Sequence, residues 1–207
     1  MRSSEKAGKR VFFNNCTFCV EKNVYEPAED TFLLAENLVI DEHDVVLDMG
    51  TGCGILGILA AKRARKVVAV DVNPHAVRCA EMNARLNGVV EKMDIRRGDL
   101  FEPIMKDEKF DVIVFNAPYL PSEAGEQRTW IGRAWAGGPH GRRLINRFIS
   151  LVSSYLKEGG RVLLVQSTLS NVDETMRRLE GEGLRASVLA EKKVAFETIV
   201  VIQAERR

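Results

Sequence analysis

Asn116-Ala117-Pro118-Tyr119 brings together a carboxamide, a small residue, a rigid ring and a flat aromatic face within four positions. The Asn116 side-chain oxygen and the main-chain oxygen of Ala117 can accept the two hydrogens of an NH2 group. Pro118 stiffens the turn, and Tyr119 offers a face on which a planar group stacks. Such a grip suits an amide or an exocyclic base amine, whose lone pair is delocalised. That nitrogen is a poor nucleophile and reacts only when held in line with its electrophile and kept from water. An ordinary Asn-Pro-type turn looks the same in isolation, so position in the chain has to separate the two.

A second run, Asp48-Met49-Gly50-Thr51-Gly52-Cys53-Gly54, lies between an apolar stretch and a helical one. Alternate glycines there let the backbone turn tightly and approach a ligand without side chains intervening, so Gly50, Thr51, Gly52 and Gly54 read as a cradle. The string Gly52 to Gly57 also fits the dinucleotide-binding pattern, and by itself it does not separate a nicotinamide cofactor from S-adenosylmethionine. The lack of a second mononucleotide-binding half and the tetrapeptide at Asn116 favour S-adenosylmethionine. Asp71, followed by Val72, is placed to accept from ribose hydroxyls, and Asp99 from an adenine amine with Leu100 against the ring. Asp48 is expected to face the amino group at the methionine end.

The elements that must position these residues alternate. Extended runs are expected at Val45 to Leu47, Lys66 to Val70, Met93 to Arg97, Phe110 to Phe115 and Arg161 to Gln166. Helices are expected over Ala28 to Ile40, Ile55 to Arg63, Pro74 to Leu86 with Asn73 as cap, Leu144 to Leu156, and Asn171 to Glu180. Leu184 to Ala190 and Val194 to Ala204 are too close for a crossover helix and should pair antiparallel. The expected architecture is α/β, a mostly parallel sheet closed by a terminal antiparallel hairpin. Residues 1–27, with short runs at Val11 to Phe13 and Thr17 to Val20, read as an N-terminal hairpin or cover, and 28–207 as one domain. The long segment after Tyr119, with Arg128, Trp130, Arg133 and Trp135, reads as a loop that clamps a substrate.

Composition narrows the class. The chain is 45% hydrophobic and 29% charged, as ordinary folded domains are, and its net charge of +1 gives no field for collecting phosphate. A small positive tail at Arg2, Lys6, Lys9 and Arg10 against Glu5 reads as a solvated end. No apolar stretch reaches membrane-spanning length and no signal peptide is visible, so a cytoplasmic protein is expected. The four cysteines suit a reducing compartment. Cys16-x-x-Cys19 lacks the further ligands zinc needs, and His43, His75 and His140 sit in no metal or acid-base motif.

With these segments in view, the chain resembles the class I methyltransferases of the Asn-Pro-Pro-Tyr type, and closely the small archaeal and eukaryotic branch related to HemK. Tyr25-Glu26-Pro27-Ala28-Glu29-Asp30-Thr31, Asp48 to Gly54 and Asn116 to Tyr119 carry the resemblance, which spans about Val24 to Ala204. It implies a seven-stranded Rossmann-like sheet and S-adenosyl-L-methionine as cofactor, with Tyr25, Glu29, Asp30 and Thr31 at its methionine end or at the pocket rim. It also implies that the methyl acceptor is the glutamine of the Gly-Gly-Gln loop of a class I peptide chain release factor, and that a small zinc-binding activator subunit assists. Ala117 departs from the family's usual proline, which should loosen the turn while sparing the main-chain acceptor. The alternatives are transfer to an exocyclic amine of adenine or guanine in DNA or RNA, a non-catalytic module that binds S-adenosylmethionine, and a nicotinamide-dependent oxidoreductase.

Overall fold

A computed structural model describes residues 8–123 and 125–206. Arg2, Glu5 and Lys6 of the expected positive tail lie outside the described residues. Strands β1 (Lys9–Phe13) and β2 (Cys16–Val20) form a two-stranded antiparallel sheet, joined by Asn14 and Asn15 at φ 45° and 60°. Two consecutive left-handed residues make the turn whose twist matches a tight hairpin, and asparagine tolerates that conformation best after glycine.

The main sheet contains β3 (Val45–Met49), β4 (Lys66–Asp71), β5 (Met93–Arg97), β6 (Phe110–Asn116), β7 (Leu156–Ser167), β8 (Leu184–Lys193) and β9 (Thr198–Arg206), in the order β5-β4-β3-β6-β7-β9-β8. The first five run parallel, and β9 and β8 complete the sheet antiparallel. Val46, Leu47, Val112, Ile113, Val114 and Val162 to Val165 are buried, the composition of strands covered on both faces. The helices are α1 (Glu29–Glu36), α2 (Ile55–Ala61), α3 (Pro74–Leu86), α4 (Trp130–Trp135), α5 (Arg143–Val152) and α6 (Val172–Gly181). Asn73 caps α3, its side chain accepting from His75 N at 2.9 Å.

The chain starts the parallel sheet at β3, builds outward through β4 to β5, then returns to add β6 on the other flank of β3. Two consecutive connections thus leave neighbouring strands in opposite directions, and a crevice opens at their carboxyl ends.

The boundaries differ from the periodicity at three places. α1 stops at Glu36, where Asn37 folds its side chain back onto Leu33 O at 2.8 Å, so Leu38 to Ile40 leave the helix. α5 ends at Val152, and Leu156 already pairs with Phe110 as the first residue of β7; Gly159, at φ +70°, lets the strand bulge before resuming at Arg161. β8 continues through Glu191, Lys192 and Lys193, and the turn lies at 194–197. Charged residues suit an edge strand, so the end of an apolar run is no strand end there.

The segment after Tyr119 is folded back tightly on β6's exit. Leu120 N donates to Trp135 O at 3.0 Å and Gly137 N to Leu120 O at 2.8 Å. A Cβ on Gly141 would sit 2.1 Å from Tyr119 O, at a φ of +66°. Gly141→Ala is therefore expected to destabilise the protein by about 3 kcal/mol, lowering Tm by roughly 6 to 12 °C. Gly181→Ala, where an added Cβ meets nothing within 4 Å, should leave Tm unchanged or raise it. A Gly141→Ala melting curve superimposable on the parent's would show that the close approach is not there.

Candidate active site

β3 ends at Met49 and β6 at Asn116, and their register sets Met49 beside Phe115. The glycine loop and the tetrapeptide therefore leave the sheet side by side. A cavity of about 1110 Å3, counting its open mouth, lies between them. Tyr25, Asp30, Thr31, Gly50, Thr51, Gly52, Asp71, Val72, Asp99, Leu100, Asn116, Ala117, Pro118 and Tyr119 all line it.

Three residues singled out by the sequence do not. Asp48 is fully buried beneath the loop, its Oδ2 accepting from Thr51 Oγ1 at 2.5 Å and from Gly57 N at 2.9 Å. It props the loop from below instead of facing the cavity, because Gly57 brings the first turn of α2 against it. A Cβ on Gly57 would stand 2.8 Å from Asp48 Oδ2. Gly54 faces α3, where a Cβ would meet Ala80 Cα at 3.1 Å, so helix packing accounts for that glycine. Glu29 turns outward and pairs with Lys192.

The remaining acid of α1's first turn organises the site. Asp30 is buried and accepts from Thr31 N at 2.6 Å, Thr31 Oγ1 at 3.2 Å, Tyr25 Oη at 3.1 Å and Tyr119 Oη at 3.3 Å. Thr31 Oγ1 in turn accepts from Asn116 Nδ2 at 3.1 Å. Asn116 Oδ1 is buried and has no partner. Burial, reinforced by the Asp30 charge, holds the Tyr25 and Tyr119 phenols above their ordinary range, so both remain hydrogen-bond donors at neutral pH.

Asp71 takes Gly52 N on one oxygen and Asn73 N on the other, each at 2.9 Å; burial raises its pKa against the pull of these bonds. Asp99 lines the cavity with one oxygen engaged by Arg147 Nη2 at 3.0 Å. The expected loop after Tyr119 contains α4, which places Trp130, Arg133 and Trp135 on the cavity wall, the Arg133 guanidinium 4.8 Å from the Trp130 ring centre. Thr129 starts α4 by accepting from Gly132 N at 3.0 Å; this cap was the sequence signal for it. Phe115 and Asn73 also line the cavity, although periodicity makes one a core residue and the other a cap.

The donors and openings present fit an adenosyl group with a methionine tail. Gly50 and Gly52 adopt φ +67° and +58°, and a Cβ on Gly52 would meet nothing nearer than 4.0 Å, so the backbone there faces open space. Acids follow the next two strands, and the wall holds an unsatisfied buried acceptor in Asn116. Among the described residues no group of three or more His, Cys, Asp or Glu is placed to hold a metal, and no helix is long and apolar enough to cross a membrane.

A parallel sheet with this switch point, a glycine loop after its first strand and a terminal antiparallel hairpin defines the Rossmann-like methyltransferase class. The chain belongs to the methyltransferase small domain family, which matches residues 15–132. A Methanocaldococcus jannaschii protein named "Putative protein N5-glutamine methyltransferase MJ0928" is 44% identical over 88% of this chain and 92% of its own length. Methyltransferase HEMK2 of Homo sapiens is 32% identical over 87% and 89%. Among solved structures, the E. cuniculi Mtq2-Trm112 complex, described as responsible for methylation of the eRF1 translation termination factor, matches with a TM-score of 0.66 and 29% identity, covering 89% of this chain and 99% of that one. The family decides for methyl transfer the choice that the glycine string leaves open.

Burial raises the Asp48 carboxyl from 3.8 to about 7, more than its bonds from Thr51 and Gly57 lower it. Between those values the folded protein keeps a proton that the unfolded chain releases, so the contribution of Asp48 to stability should fall as pH rises from about 4 to 7 and level off above. Asp48→Asn is expected to flatten that fall. Urea unfolding of both proteins at pH 5 and pH 7.5 measures it, and identical pH dependence would refute the buried, partly protonated carboxyl.

Proposed function

We propose that this protein methylates the side-chain amide nitrogen of a glutamine, using S-adenosyl-L-methionine, and that the glutamine lies in the Gly-Gly-Gln loop of a class I peptide chain release factor. The reading is carried by one observation. Asn116 belongs to the cavity wall and has a buried Oδ1 without a partner, while its Nδ2 is spent on Thr31. The names of the relatives point to the same chemistry: N5-glutamine methylation for the archaeal protein and methylation of a termination factor for the Mtq2 complex.

When bound, S-adenosylmethionine supplies an electrophilic methyl carbon, so no nucleophilic residue and no metal is required of the chain. The protein's work is to hold the acceptor. Asn116 Oδ1 accepts one hydrogen of the amide NH2 and the Ala117 carbonyl the other, which fixes the plane of the nitrogen. Replacing proline at 117 with alanine leaves that carbonyl in place. Tyr119, held through its hydroxyl to Asp30, packs its ring against the planar acceptor. On the cofactor side, Gly50 to Gly52 supply an open backbone, Asp71 receives ribose hydroxyls beside Val72, Asp99 and Leu100 meet the base, and Tyr25, Asp30 and Thr31 stand toward the methionine end. Trp130, Arg133 and Trp135 of α4, on the cavity wall, help to keep water from the reacting groups.

A small partner subunit belongs to the proposal too, as Trm112 accompanies Mtq2; the resemblance makes it zinc-binding. A cytoplasmic site of action is part of the same proposal, supported by the relatives' link to translation termination.

Labelled methyl transfer to a purified release factor should be lost when the tripeptide glutamine is replaced; undiminished labelling of the replaced protein would assign the methyl group elsewhere. Asn116→Ala should reduce kcat by about 100-fold or more with cofactor Kd changed less than about threefold. Asp71→Ala should do the reverse, weakening cofactor binding about tenfold. Calorimetry on both variants checks the split, and an Asn116→Ala enzyme with full turnover would remove the role given to that residue.

A further inference from the structure

Asn83, in the middle of α3, is wholly buried and does not line the cavity. Three of the four hydrogen-bonding positions of its carboxamide are used, including both N–H groups. Oδ1 accepts from Cys19 N at 2.8 Å, while Nδ2 donates to Cys19 O at 2.9 Å and to Cys53 O at 2.8 Å. The first two bonds imitate a neighbouring strand, taking both main-chain groups of one residue of β2. The third ends on the glycine loop, between Gly52 and Gly54, both in left-handed conformation.

A second route connects the same two regions. Asn73 Nδ2 donates to Asn23 O at 2.7 Å, Asn73 N donates to Asp71 Oδ1 at 2.9 Å, and Asp71 Oδ2 accepts from Gly52 N at 2.9 Å. The N-terminal segment is thus tied to Gly52 by one path and to Cys53 by the other. Directly after Asn23 the chain continues into Val24, Tyr25 and Pro27, which line the cavity. One turn beyond Asn83, Asn87 repeats the strand imitation on Thr17, accepting from its N at 3.0 Å and donating to its O at 2.8 Å. Asn87 reaches neither the loop nor the cavity.

We propose that Asn83 is a positioning residue that makes docking of the β1–β2 hairpin and the shape of the cofactor loop a single cooperative unit, so that the hairpin contributes to cofactor affinity without touching the cofactor. A buried carboxamide with three partners on two separate chain segments cannot keep one segment in place when the other leaves, because each departure strands a buried polar group. Coupling of this kind is reciprocal: the ligand that orders the loop must also tighten the hairpin.

The inference rests on the proposed use of S-adenosylmethionine, and the test separates the two. Cofactor Kd is measured by calorimetry for the parent, Asn83→Asp and Asn87→Ala, with amide hydrogen exchange followed in β2. In the parent, S-adenosylmethionine should slow exchange of the Thr17 and Cys19 amides. Asn83→Asp keeps the shape but turns an acceptor toward Cys19 O and Cys53 O, and should weaken cofactor binding about tenfold. Should that variant fail to fold, Asn87→Ala carries the test alone. It loosens only the hairpin, and is expected to speed β2 exchange and weaken cofactor binding severalfold. A purely structural asparagine would lower Tm and leave the Kd of the folded protein alone. Cofactor binding that leaves β2 exchange unchanged, or an Asn87→Ala Kd equal to the parent's, would overturn the coupling. No binding of S-adenosylmethionine by the parent would remove the functional reading and this proposal with it.

Discussion

The Thr31 hydroxyl has one proton to give, and it gives it to the Asp30 carboxylate. Its oxygen can then only accept from Asn116, which must turn its NH2 toward Thr31 and leave its own carbonyl oxygen buried without a partner. The orientation of one side-chain amide is thereby dictated by a buried charge two bonds away. Reversing it would set a carbonyl against the lone pairs of an oxygen with no hydrogen left, at a cost on the order of a lost buried hydrogen bond. The proposed grip depends on that polarity, because an Asn116 facing the other way would offer hydrogens to an acceptor nitrogen that already carries two. The buried charge is itself sustained by its place in the first turn of α1, at the positive end of the helix, and by four donors from Tyr25, Thr31 and Tyr119.

Three separate stretches have to arrive together for this: residues 25–31 before and inside α1, the loop after β3, and the tetrapeptide after β6. The sheet order delivers two of them, since β3 and β6 are adjacent and in register while belonging to distant parts of the chain. The third comes from α1, which contacts β6, β7 and β9 and so sits over the flank of the sheet where the tetrapeptide emerges. Glu29, one residue earlier, points the opposite way and secures the same turn to the β8 edge through Lys192. Adjacent acids on one helical turn thus face inward and outward, and only the inward one lines the cavity.

Much of this was legible from residue types. Apolar runs with glycine or asparagine at their ends gave strands β3 to β6 within a residue or so, and Asn73-Pro74 marked the start of α3. The tetrapeptide and the glycines stood out because their types are wrong for plain packing and right for a ligand. What escaped were roles set by what lies across a gap in sequence. Asp48 carries the same signature as Asp71 at a strand end, yet a glycine nine residues later draws a helix turn onto it and buries it. Gly54 belongs to the cradle by pattern and to helix packing by contact. Asn83 and Asn87 look like polar positions on an amphipathic helix, and nothing local tells that a hairpin some 65 residues earlier uses them as a strand edge. Spacing reports the chemistry a residue can do; the partner that claims it is a tertiary fact.

The same accounting bears on which acceptors the site serves. Lysine reaches an enzyme as an ammonium ion and must lose a proton before its nitrogen can attack, so a lysine methyltransferase needs a group ready to receive one. Here the Asp30 carboxylate already accepts from four donors, and the two phenols nearby are pushed toward their protonated forms by burial and by the charges of Asp30 and Glu197, whose own Oε2 is buried without a partner. Neither Asp30 nor either phenol is poised as a base. A carboxamide arrives neutral, and its nitrogen becomes strongly acidic only as it acquires the methyl group, so the proton leaves late and without assistance. What it requires is restraint of a delocalised lone pair, which is the task the proposal gives to Asn116, Ala117 and Tyr119. An exocyclic base amine would satisfy the same geometry, but it comes attached to a chain of phosphates, and a protein with 30 basic against 29 acidic residues has no excess charge with which to gather one. The proposed grip needs no charge on its acceptor, and the near-balanced overall charge fits an acceptor carried on a polypeptide.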